Sequence, residues 1–429
     1  MGRTDGSPHS LIHPSPLSCV THRTGMRSTV DCMPHAHSAA IGLYFATGSA
    51  HESDGQRGIT HLLEHMVFKG TTRRTARDIS VEMESLGGYL NGETAVDYTA
   101  FFAHVQPQHV DLALDVLFDM ISDPLLAQAD LRRERQVVLE EIADVRDDPG
   151  ERVVELTAQA VWGQHPLARP VHGLKTDLRK ATPDQLRQAL QSRFCADTLV
   201  VAAAGPIDAD TFHKRIEAVQ DGVSARSAQP YIPPPTPQLR VCTSRMDRDQ
   251  VSFGFAWPTD GHLSPARYIT AFVNVLLAGC MSSRLVQLLR ETHGLVYNIT
   301  SSHVLCDTAG YLSLQGSTSP ALYEQVSGLI RHEITHMLNA GFTSQEIELA
   351  RSQLIAAVRF SMDNVMTRMY RAARHLMVYG APADYAAELD MLQTVSCGAV
   401  NAALPGLLDS TPARVIVGPS VKCKETHPS

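Results

Sequence analysis

Apolar positions fall into two arrangements along this chain of 429 residues. Some are short unbroken runs, and others recur every three or four positions over longer stretches. In the first half, the apolar run at 38–46 predicts a buried strand. Helical periodicity follows over about 59–68, 75–86, 107–122 and 130–147, the last stopped by Asp148, Pro149 and Gly150. A second short run at 199–204 predicts another strand. The second half follows a similar order. A strand at 250–256 precedes helices near 264–279 and 282–292, and a strand at 310–316 leads into helices near 319–340 and 344–361. Between the halves, residues 229–237 hold five prolines, too many for a helix or a central strand, so the segment predicts a stiff extended linker. Strands interleaved with long helices indicate an α+β protein. The expected organisation is a flexible N-terminal extension over 1–20, a first domain over 21–224, a linker over 225–238 and a second domain over 239–429. No residue-by-residue repeat joins the halves, but their matching order is compatible with an old duplication.

Composition narrows the class without changing this picture. Hydrophobic residues make up 44% and charged residues 19%, the balance of a globular protein. A net charge of −8 gives no footprint for nucleic acid. No apolar run approaches the roughly 20 residues that a membrane span requires. The first residues are polar and interrupted by prolines, unlike a secretory signal, and Gly6 breaks the myristoylation pattern opened by Met1-Gly2. The eight cysteines form no close pair, which favours reduced structural thiols in a cytoplasmic protein over a disulfide framework or thiolate metal site. Cys280, in an apolar stretch, reads as structural rather than nucleophilic.

The most informative chemistry lies at His61-Leu-Leu-Glu64-His65. Two histidines four apart on a helix stand one above the other, so both imidazoles can face one ion. Glu64 falls close to the same face, where it can polarise a water rather than bind the metal; this is the inverted order of the HExxH pattern. The helix at 130–147 supplies a third ligand. Its apolar stripe runs through Val138, Ile142 and Val145, and Glu134 and Glu141 lie on or beside it, whereas Glu140 shares a wet face with Arg133, Gln136 and Asp144. A carboxylate on a buried face is costly unless paired or bound to metal. The pattern therefore selects Glu141 as ligand over Glu140 and leaves Glu134 as a supporting partner.

A second motif, His332-Glu333-Ile-Thr-His336, matches the common zincin pattern literally. The helix around it buries Val326, Leu329, Ile330, Ile334, Met337 and Leu338, which leaves both histidines toward the polar flank. The next acids, Glu346 and Glu348, open a separate helix after Gly341.

With His61, Glu64, His65 and Glu141 placed, the chain resembles the pitrilysin family of zinc metallopeptidases, in particular the short branch that includes mitochondrial processing peptidase β-subunits and bacterial relatives. The resemblance runs through 58–71, 87–94, 137–142 and 276–297, and covers nearly the whole chain after the first fifteen to twenty residues. It implies two homologous mixed domains, each a mainly antiparallel sheet packed with helices, forming half of a clamshell chamber. It also implies an endopeptidase with one zinc per chain, acting on extended peptides, in precursor processing or peptide degradation. Asn91, Gly92 and Thr94 match the edge strand that pairs with substrate backbone, although Gly92 stands where alanine is common. Arg290 and Tyr297 match a pair that orients substrate and stabilises the tetrahedral intermediate; without the resemblance they read as a surface cation and a strand aromatic. Pairing into a homodimer, or a heterodimer with a homologous subunit, follows from the same likeness. The alternatives are a catalytically silent subunit of this fold, a peptide-binding module without turnover, and a zincin using His332 and His336.

Overall fold

The computed structural model describes residues 17–224 and 231–419. Residues 1–16 of the expected extension and 225–230 of the expected linker lie outside the described residues. Residues 231–238 carry no regular secondary structure. Residues 18–20, expected within the extension, belong to a strand.

The first sheet has six strands: β1 (Ser18–Thr21), β2 (Arg27–Cys32), β3 (Ala39–Phe45), β4 (Tyr89–Thr94), β5 (Thr99–Val105) and β6 (Leu199–Gly205). Their spatial order is β1-β2-β6-β3-β5-β4, antiparallel except for the β2–β6 pair. Eight helices accompany it: α1 (Ile59–Val67), α2 (Ala76–Glu84), α3 (Val110–Ser122), α4 (Gln128–Asp147), α5 (Pro149–Trp162), α6 (Lys175–Leu178), α7 (Pro183–Arg193) and α8 (Ala209–Val219).

The second sheet has β7 (Val241–Arg245), β8 (Val251–Asp260), β9 (Ile299–Leu305), β10 (Ala309–Thr318) and β11 (Ala413–Gly418). Its order, β7-β11-β8-β10-β9, repeats the β2-β6-β3-β5-β4 part of the first, again with one parallel pair, β7 with β11. Helix α9 (Ala266–Asn274) runs into a wider π-type turn to Gly279, and a similar turn spans Val286–Thr292. Five helices follow: α10 (Tyr323–Ala340), α11 (Ser344–Ser361), α12 (Val365–Tyr379), α13 (Tyr385–Thr394) and α14 (Cys397–Leu408). The α+β class and the two homologous, mainly antiparallel domains are thus present, and the duplication is visible in strand order.

Each sheet is covered on one face by helices of its own half and on the other by a helix from the opposite half. From the second half, α12 lays Val365, Met369, Ala373 and Leu376 onto Ala40, Tyr44, Ala100, Val200, Ala202 and Ala204 of the first sheet. From the first half, α5 buries Val153, Leu156, Ala160 and Trp162 against Ala256, Tyr311, Ala413 and Val415 of the second. A glycine marks the crossing in each sheet. A Cβ on Gly42 would stand 3.1 Å from the Met369 sulfur, and one on Gly254 would stand 3.0 Å from Val153 Cγ1. The α12 crossing is tied down by Arg368, whose guanidinium forms two hydrogen bonds to the fully buried Asp31, and by Tyr385, which donates to the same carboxylate at 3.3 Å. Removing one member of such a pair strands a buried charge.

Candidate metal centre

Helix α1 begins at Gly58, whose φ of +91° is left-handed backbone that glycine adopts without strain. Its first free N–H groups are met by a buried carboxylate: Glu52 accepts from the Gly58 N–H at 2.7 Å and the Thr60 N–H at 2.8 Å. An anion there also suits the positive end of the helix dipole. Arg193, 3.8 Å from Glu52, donates to the Thr60 hydroxyl at 2.7 Å and so fixes the helix start from α7. Leu62, Leu63, Met66 and Val67 are buried in the first core, at roughly 1.5–3 kcal/mol each for the larger side chains. With that face committed inward, His61, Glu64 and His65 share the other.

Helix α4 crosses this face. Leu131, Glu134, Val138 and Ile142 are buried along it, Glu141 is half-buried and Glu140 is exposed, as the stripe predicted. His61 Nε2 lies 3.8 Å from Glu141 Oε2, and His65 Nε2 lies 3.7 Å from Glu141 Oε1. One donor atom from each of the three residues falls within 4.8 Å of the others, the only such group of three among the described residues. The set fits a zinc ion: two imidazole nitrogens and a carboxylate oxygen are its usual ligands. The geometry also leaves a gap where an ion belongs, since Glu141 Oε2 is buried without a hydrogen-bond partner among the described residues. Burial, reinforced by His65 and His172, pushes the His61 imidazole down to about 3, so it stays neutral with its lone pair free.

The surrounding shell is equally specific. Glu134 Oε2 lies 3.4 Å from His65 Nδ1, the nitrogen turned away from Glu141, and Lys69 Nζ holds the other Glu134 oxygen at 3.0 Å. A carboxylate behind a ligating histidine fixes its tautomer and ring orientation. Glu64 is buried, and that burial pushes its carboxyl above the ordinary carboxylate range. The Thr94 hydroxyl donates to Glu64 Oε2 at 2.8 Å. A Cβ on Gly92 would stand 3.0 Å from Glu64 Oε1, so the glycine keeps that oxygen open. Asn91 points to the other side of β4 and donates to the Tyr89 hydroxyl at 2.7 Å. β4 is the end strand of its sheet.

Other site residues predicted from sequence are elsewhere. Arg290 is exposed, and Tyr297, 84% exposed, lies in the coil before β9 rather than in a strand. Among the described residues, neither contacts His61, Glu64, His65 or Glu141. His332 and His336 are both exposed on α10, and His336 reaches Glu333 at 3.5 Å without a third ligand. Sequence reasoning missed Glu52, Arg193, Lys69 and His172. The last sits at a sharp approach of two backbones, Gly173 against Gly58, with its ring centroid 4.9 Å from that of His61. Lys69 lies in the turn just after α1, and Glu52 and Arg193 left no local signal.

A repeated α+β architecture with two histidines and a glutamate gathered around one gap describes a metallopeptidase-type chain. Residues 30–175 match the insulinase family, peptidase family M16, and residues 180–354 match the peptidase M16 inactive domain. The chain belongs to peptidase family M16. It is 31% identical over 402 residues to the uncharacterized zinc protease YmxG of Bacillus subtilis, covering 93% of this chain and 98% of that one. It is 30% identical to an uncharacterized zinc protease of Mycobacterium bovis, covering 92% and 91%. Among solved structures, a peptidase M16 inactive domain from Pseudomonas fluorescens superposes with a TM-score of 0.86 at 20% identity, over 95% of this chain and 99% of that one. A protease from Helicobacter pylori gives 0.84 at 16%, over 94% and 99%. No single helix among the described residues is long and apolar enough to cross a membrane.

Proposed function

We propose that this chain is a zinc-dependent endopeptidase for extended or unstructured peptides, holding one zinc per chain on His61, His65 and Glu141. The observation that carries this reading is the clustering of those three donors within 4.8 Å beside a buried Glu64. Relatives named zinc proteases support it. Zinc bound there supplies Lewis acidity, which lowers the pKa of water toward about 7 and polarises a carbonyl.

The chain's own residues perform the proton work. Thr94 occupies Glu64 Oε2, so Oε1 is the atom that accepts the proton of the attacking water and returns it to the leaving amine. Glu134 and Lys69 hold His65 in one orientation throughout. Substrate adds to β4 as a further strand along Asn91, Gly92 and Thr94, which selects extended peptides. The exposure of Arg290 and Tyr297 supports a role across an assembly. In a homodimer, or a heterodimer with a homologous subunit, they would face a partner's metal half to orient substrate and stabilise the oxyanion. A cytoplasmic setting agrees with the free thiols.

The test is to incubate the purified chain with an unstructured peptide mixture and map the cuts by mass spectrometry. Cleavage that a chelator stops and added zinc restores is the expected result. A zinc-loaded chain that makes no cuts, alone or with a homologous partner, would support the silent-subunit alternative instead.

A further inference from the structure

The second half contains a cavity of about 560 Å³ that shares some counterparts of the elements around the metal centre, although α11, the counterpart of the Glu141 helix α4, does not line it. The loop after β8, helix α9 and end strand β9 line it, as the loop after β3, helix α1 and end strand β4 surround the metal ligands; α12 and α13 close it. His303 and Leu305 leave β9 on the same side as Ser301, whose hydroxyl donates to the Asn274 carbonyl at the end of α9 at 2.7 Å. The strand thus faces its helix as Gly92 and Thr94 of β4 face Glu64. The volume falls within the roughly 300–1,000 Å³ of small-molecule sites.

Two charged groups in its wall, Arg267 and Asp384, have no ion-pair partner among the described residues. Arg371 pairs with Glu388, and Arg374 pairs with Asp97 at 2.9 Å. Asp384 uses its carboxylate to cap α13, accepting from the Ala387 N–H at 2.9 Å. Arg267 has no carboxylate within ion-pairing distance among the described residues. Its guanidinium donates to the His262 carbonyl at 2.8 Å and the Tyr268 hydroxyl at 3.0 Å. It also lies 4.4 Å from the centroid of the Tyr268 ring and 5.2 Å from that of Tyr379. These contacts hold the cation in place and leave its charge unneutralised. Beside it, the ring of His262 has no hydrogen-bond partner among the described residues. Burial, with the charge of Arg374, pushes that imidazole down to about 4, so it offers a neutral hydrogen-bonding group. Ala271, Leu305, Val378 and Met391 give the wall an apolar part.

We propose that this cavity binds the C-terminal residue of a peptide, with the carboxylate paired to Arg267 and the side chain against Leu305, Val378 and Met391. One unpaired guanidinium, with the only other unpaired charge in the wall, Asp384, committed to the N-terminus of α13, suits a singly charged carboxylate on an apolar body, rather than a phosphate. Charge-assisted pairing makes the ligand's charge, not its shape, the discriminating feature. The half of the chain that lacks a metal-ligand set thereby acquires a role in holding peptide ends.

The test uses the full chain and two small probes, N-acetyl-phenylalanine and its amide, with binding measured by calorimetry. The free acid is expected to bind about tenfold or more tighter than the amide. Arg267→Gln should remove that preference, and Arg267→Lys should keep part of it. His65→Ala, which removes a metal ligand, should leave the preference intact and so separate this cavity from a carboxylate bound at zinc. Equal or unmeasurable binding of the two probes overturns the proposal. So does a preference that survives Arg267→Gln or vanishes in His65→Ala. None of these readouts involves peptide cleavage, so the peptidase reading and this one fail separately.

Discussion

The two halves of the molecule share a strand order and differ in what their helices present. In the first, α1 turns two histidines toward a carboxylate of α4. In the second, the corresponding α9 presents Arg267 and Tyr268 to a cavity, and the pair His332 and His336 falls on α10, the counterpart of α3 rather than of α1. The His332 pair has the more familiar spacing, yet both residues are exposed and, among the described residues, no carboxylate from another helix completes a metal-ligand group with them. Two histidines four apart are easily made by one helix. A metal site also needs a second helix to bring a third donor to the same point, and helix crossing supplies that at His61 and not at His332.

The sharpest way to break this comparison is to remove one histidine from each motif. His65→Ala should abolish zinc binding, read as metal content after dialysis, and with it all peptidase activity; His336→Ala should leave both unchanged. Loss of zinc in His336→Ala would reverse the assignment. Next in size, Glu64→Gln should cut peptide hydrolysis by about 10²–10⁴-fold while zinc content stays at the wild-type level. The helix exchange gives a stability test of the same scale. Arg368→Ala, which strands the buried Asp31, should lower unfolding free energy by about 3–5 kcal/mol in a denaturant titration. A change under about 1 kcal/mol would show that α12 is held by apolar packing rather than by the ion pair. Glu134→Gln should weaken zinc binding by about 10–100-fold in a chelator competition, with the fold intact. The smallest effect is expected at Gly92→Ala. A methyl group 3.0 Å from Glu64 Oε1 displaces a flexible carboxylate slightly, so kcat should fall only about 2–10-fold, within the cost of about 1.4 kcal/mol per tenfold.

Much of the site was legible before folding was considered. Helical spacing put His61, Glu64 and His65 on one face and separated Glu141 from Glu140, and the structure gives the same faces. Helical ends were less legible: the helix expected from 319 begins at Tyr323, and that expected from 264 begins at Ala266 and ends in a π-type turn. Strands β1, β2, β5, β7, β9 and β11 were not singled out by the apolar pattern. Thr94 was placed on a substrate strand by resemblance, but its hydrogen bond to Glu64 depends on how β4 packs against α1, thirty residues away in sequence.

Spacing along one helix is set by 3.6 residues per turn, so the sequence by itself determined that His61, Glu64 and His65 share a face of α1 and that Glu141 and Glu140 lie on different faces of α4. Tertiary structure decided what lies opposite those faces. Arg368 and Asp31 are 337 positions apart, and nothing local in either segment announces that α12 will cover the first sheet while α5 covers the second. The same holds for Glu52 under α1, His172 beside His61 and the unpaired charge of Arg267. Such contacts join segments distant in sequence through close packing, which no periodicity within a segment encodes.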